Sequence, residues 1–62
     1  MNVLRIELIR EIGNEKTYKI TYEESESIET RLVGRTFYYG KDAANLPGSM
    51  LNFAENWILG DL

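Results

Sequence analysis

Four carboxylates within seven residues, Glu23, Glu24, Glu26 and Glu29, are the densest set of groups in the chain that could do chemistry. Paired carboxylates act as general acid and base only where burial holds one of them protonated near neutral pH. These four share their stretch with Ser25 and Ser27, which reads as a hydrated connection. Neither histidine nor cysteine occurs in the 62 residues. That removes the usual proton shuttle, the best nucleophile, and the imidazole and thiolate ligands of zinc, haem and iron–sulfur sites. Calcium would need hard oxygens from one loop, commonly with aspartates and a glycine at set spacing, and the acidic stretch contains neither. Gly34 to Gly40 holds no lysine followed by a hydroxyl residue, so it makes no phosphate cradle. The expectation is a protein that is not an enzyme and uses no metal or cofactor.

The second constellation suits binding. Arg31, Arg35, Phe37, Tyr38, Tyr39 and Lys41 interleave cations with aromatic rings, as both protein interfaces and single-stranded nucleic-acid platforms do. Strand alternation puts Phe37 and Tyr39 on one face and Tyr38 on the other, so at most two rings could stack on bases together. The charge is arranged in blocks: +1 over 1–22, −4 over 23–29, +3 over 30–41 and −3 over the remainder, for a net charge of −3. A +3 block between acidic blocks makes a weak field for phosphates. It also makes a surface that a second copy could complement, +3 against −4.

These residues must be positioned by strands and one helix. Val3 to Ile12 alternates as a strand, with Leu4, Ile6 and Leu8 on one face and Val3 and Ile9 on the other. Leu8, Ile9 and Ile12 also fit a helical spacing, but no cap precedes them. Thr17 to Glu24 is a second strand, with Tyr18, Ile20 and Tyr22 inward. A three-residue loop, Gly13 to Glu15, sets Leu8 opposite Ile20 and Ile6 opposite Tyr22. A two-residue Asn14-Glu15 turn would put the apolar rows on opposite faces, so the longer loop is expected. Ile28 to Val33 resumes the strand pattern. Gly34-Arg35 then fits either a type II′ turn into a fourth strand, Thr36 to Tyr39, or a bulge in one long bent strand.

Ser49 to Gly60 is the one amphipathic helix. Met50, Leu51, Phe53, Ala54, Trp57 and Ile58 fall in an arc about 160° wide, which can cover a sheet. Ser49 is placed to cap its start and Gly60 to close its end. Phe53 and Trp57 read as core anchors.

The fold class expected is α+β: a small antiparallel β-meander of three to four strands, with one C-terminal amphipathic helix on one face, in a single domain over 1–62. One helix covers one face of a sheet. Val3, Ile9 and part of Phe37-Tyr38-Tyr39 are then left over as an apolar surface. The expected function is a small interaction module (a regulator, inhibitor or accessory subunit) that binds a protein partner through that face, as a homodimer. Its contact residues would be Val3, Ile9, Arg31, Arg35, Phe37, Tyr38, Tyr39 and Lys41. The alternative is nucleic-acid binding through residues 31–41. No apolar run reaches the roughly 20 residues of a membrane span, and the charged N-terminus is unlike a signal peptide. A cytoplasmic location is expected, with no membrane partner. In size and in lacking cysteine, the chain is similar in kind to the small accessory and inhibitor proteins that phages and mobile elements encode, a likeness carried by no motif.

Overall fold

The computed structural model of the chain describes residues 2–24 and 26–62. Ser25, in the acidic connection, lies outside them. Four strands, β1 (Val3–Ile12), β2 (Glu15–Tyr22), β3 (Glu26–Val33) and β4 (Thr36–Tyr39), precede a single 3₁₀ turn, Lys41–Ala43, and a helix, α1 (Gly48–Gly60). The strands form one antiparallel sheet in the order β1-β2-β3-β4, the meander expected from the sequence, with α1 on one face. The fourth strand is separate: Val33 pairs with Thr36 across Gly34-Arg35, and Gly34 has φ +65°. This is the glycine-first turn whose twist suits a hairpin.

The first hairpin corrects the expected register. Ile12 pairs with Glu15, so the turn is Gly13-Asn14, two residues long, with Gly13 at φ +60°. A straight ladder from that turn would bring Leu8 opposite Lys19 and bury the wrong face. An extra residue at Ile9 prevents this, because the ladder shifts between Leu8 and Arg10. Leu8 then pairs with Tyr18, Ile6 with Ile20 and Arg5 with Thr21. A second shift, at Leu4, brings Val3 opposite Tyr22. Val3 therefore packs against the core with Ile6, not on the opposite face where simple alternation puts it.

Ile20, Tyr22, Ile28, Ala43, Met50 and Ala54 make the central cluster, flanked by Val3, Ile6, Tyr39, Leu46 and Leu51. Leu32 and Ile58 are buried as well. The helix begins at Gly48 with Pro47 as its N-cap, one residue before the expected start. Ser49 makes no capping bond; Met50 and Leu51 donate their amides to the Pro47 carbonyl instead. Gly60 stays within the helix, and Asp61, in the right-handed region, ends it. Only a narrow stripe, Met50, Ala54 and Ile58, is fully buried. This is the i, i+4, i+8 row of one helix face, with a small residue at its centre that lets the axis approach the sheet.

The connection after β2 is strained. Glu23 and Glu24 have φ of +40° and +71°, a region that is costly for a side chain with a Cβ. Glu24→Gly should raise stability by about 0.5–1 kcal/mol and Tm by about 4 °C, read by thermal unfolding.

Candidate functional site

The uncovered face of the sheet is polar, which overturns the expectation of an apolar one. Its cross-strand rows read Arg5–Thr21–Ser27, Glu7–Lys19–Glu29, Arg10–Thr17–Arg31–Tyr38 and Ile12–Glu15–Val33–Thr36. Opposite charges alternate along and across the strands, and Arg5 pairs with Glu7 at 3.2 Å and Arg31 with Glu15 at 3.2 Å. The Arg31 guanidinium lies over the Tyr38 ring, 5.2 Å from its centroid. With Arg10, Thr17, Glu29 and Asp42 this pair lines an open depression of about 520 Å³. The charged side chains of this face reach solvent, while Thr17 and Thr21 between them are buried.

The expected contact residues do not form one surface. Arg31 and Tyr38 share the polar face. Val3, Phe37 and Tyr39 are on the helix side, Ile9 is the extra residue of the bulge, Arg35 is in the last turn and Lys41 in the 3₁₀ turn. Tyr39 has a structural partner: its hydroxyl donates to Glu55 Oε2 at 2.6 Å, tying β4 to α1. Burial, with the Glu55 carboxylate beside it, pushes the Tyr39 phenol above the usual tyrosine range. Glu23, Glu24 and Glu26 are exposed around their turn, and Glu29 lies opposite Lys19. Among the described residues, no three acidic side chains gather as they would around a metal ion.

The apolar surface lies elsewhere, along the free edge of β1. Phe53 and Trp57 were expected in the core; they are 52% and 60% exposed. One turn apart on α1, their ring centroids are 6.2 Å from each other. They overhang β1 because the helix seats its Met50–Ala54–Ile58 row on the sheet, which turns the flank carrying both rings past the edge strand. Leu4 and Leu8, also expected inward, are exposed beside them, and so is Leu62. Two adjoining depressions run along this edge. One, of about 320 Å³, is lined by Val3, Leu4, Arg5, Ile6, Phe53 and Trp57. The other, of about 280 Å³, includes Leu8, Tyr18, Trp57, Ile58 and Leu62. Trp57 and Ile6 belong to both. The backbone groups on the outer side of β1 have no neighbouring strand within the sheet. An edge strand with apolar side chains beside it is the usual platform for strand addition.

The sequence did hold a signal for this edge. The 160° arc on α1 is wider than the stripe a helix buries on a twisted sheet, so one flank had to overhang. Compared with family models, with curated proteins and with solved structures, the chain has no match. Among the described residues no helix is long and apolar enough to cross a membrane.

Two measurements check these placements. In chemical denaturation, Trp57→Ala should change stability by less than about 1 kcal/mol, whereas Ile20→Ala, at 0% exposure, should lose about 2–5 kcal/mol. The second concerns alkaline pH. The unfolded Tyr39 phenol loses its proton near pH 10 while the folded one keeps it, so the folded state binds more protons and stability falls as pH rises. Tyr39→Phe should flatten part of that decline and lower stability at pH 7 by about 1–2 kcal/mol.

Proposed function

We propose that this chain is a small, non-catalytic interaction module, a regulator, inhibitor or accessory subunit, that binds protein through the β1–α1 edge. The observation that carries the reading is the exposed Phe53–Trp57 pair beside an unpaired strand edge. Exposed apolar patches with aromatic centres mark interaction sites, and tryptophan is the residue most enriched among binding hot spots. The sheet-edge backbone supplies directional hydrogen bonds, and the two depressions supply pockets for side chains. A cysteine-free chain is at home in a reducing compartment such as the cytoplasm.

A second reading, contact with nucleic acid, has one observation in its favour: Arg10, Arg31 and Tyr38 line the same open depression. Glu29 and Asp42 in its wall, and the Arg31–Glu15 pair, cancel most of that field. Ionic strength separates the two readings, because phosphate contacts weaken steeply with salt and an aromatic interface does not.

The test is a pull-down from nuclease-treated lysate with the tagged chain. One stoichiometric protein, either another chain or a co-expressed untagged copy of this one, should be retained at high salt by the wild type and by Arg31→Ala, and lost with Trp57→Ala. Retention of the same protein by Trp57→Ala would contradict the proposed site.

A further inference from the structure

Resting on the reading of the β1–α1 edge as an interface, we propose that its occupant is a second copy of this chain, joined β1 to β1, antiparallel, in the register centred on Ile6. The two shifts in β1, at Leu4 and Ile9, leave Arg5 to Leu8 as its regular stretch. Bulges at both ends stop a long neighbouring strand from pairing along the whole edge. What remains accepts only a short strand, and the Arg5–Leu8 stretch of another copy has that length.

Within that stretch the pleat allows two symmetric registers, because paired residues must lie on one face. Centring on Glu7 sets Glu7 against Glu7 of the second copy, an unfavourable like-charge pair. Centring on Ile6 sets Arg5 against Glu7 and Glu7 against Arg5, with Ile6 on Ile6, and brings Leu8 to the bulged Leu4 of the other copy. Arg5 and Glu7 both lie on the polar face and already attract within one chain at 3.2 Å, largely solvated. Each would exchange its partner for the corresponding residue of the other copy. The charges along the edge are self-complementary in this register and in no other that keeps the faces.

The symmetry also places the apolar side chains. A two-fold axis perpendicular to the sheet joins the two four-stranded sheets into one and leaves both helices on the same face. Each Phe53–Trp57 flank then leans toward the axis, over Leu4 and Leu8 of the joined edges. A stable homodimer buries about 800 Å² per partner, about a fifth of the 4308 Å² this chain exposes. The two rings alone present about 200 Å² of that area. The hydrogen-bonded ladder is short, so the apolar flank supplies most of the affinity and the Arg5–Glu7 exchange supplies the register.

Sedimentation velocity on the full chain and on charge variants tests this. The wild type should be dimeric at tens of micromolar. Arg5→Glu and Glu7→Arg each place like charges opposite twice across the axis, so each alone should dimerise about tenfold more weakly. Mixed one to one, the two variants pair Glu with Arg at both positions, and the dimer should return. Circular dichroism checks that each variant keeps its fold, as substitution at exposed sites allows. A wild type that stays monomeric at about 100 µM overturns the proposal; if Trp57-dependent capture of another protein persists, the interface reading survives with a different occupant. A dimer indifferent to both charge variants but lost with Trp57→Ala overturns the β1 register while keeping the surface. A mixture no more dimeric than its components overturns the Arg5–Glu7 exchange.

Discussion

Side chains on a strand alternate with a period of two, so one extra residue sends everything beyond it to the other face. In β1 this happens twice, at Ile9 and at Leu4. The first shift reconciles a two-residue glycine turn with the alignment of Leu8, Ile6, Tyr18 and Ile20. The second returns Val3 to the side of the helix. Together they leave the open face mainly to Arg5, Glu7, Arg10, Lys19, Glu29 and Arg31, with Ile12 and Val33 at one end. What the helix cannot cover is then gathered along one edge.

That edge is a matter of energy as well as geometry. A chain of this length buries only about 60% of its unfolded surface and has little stability in reserve. The Phe53 and Trp57 rings leave about 200 Å² in water, and at about 25 cal/mol per Å² this is about 5 kcal/mol of unused hydrophobic gain. A small domain's entire stability is of that order. The chain holds itself together through the narrow contact of Met50 and Ala54 with Ile20, Tyr22 and Ile28, with Ile58 buried one turn further along the helix and the Tyr39–Glu55 bond as reinforcement. The surplus on the helix flank is the area that the proposed association would bury.

The architecture was legible because its signals are local. Alternation marked the strands, glycines marked two turns, and the wide arc marked the helix. The sequence leaves Gly34-Arg35 open between a hairpin and a bulge in one long strand, and the positive φ of Gly34 with the Val33–Thr36 pair decides for the hairpin. The bulges were hidden, since nothing in Leu4 or Ile9 distinguishes an extra residue from a paired one. Only the requirement that two rows face the same core reveals them. The misplacement of Val3, and of the leftover surface with it, follows from that. Placing Phe53 and Trp57 in the core equates the width of the hydrophobic arc with the width that is buried, and the two differ here. A residue as small as Ala54 at the point of closest approach narrows the buried stripe and tips the large side chains outward. Alternation already places Tyr39 and Tyr38 on opposite faces, and the β3–β4 pairing keeps them there, so the two cannot belong to one contact surface.

Trp57 is the chain's only tryptophan, and it stands at the centre of the proposed contact, so its fluorescence reports directly on whether that edge is covered. In a dilution series of the purified chain, emission should be solvent-like at the lowest concentrations. It should shift to the blue as concentration rises, with a midpoint matching the dimer dissociation constant. Emission that stays solvent-like up to the highest concentration reached, without any added partner, would contradict the claim that a second copy covers the edge.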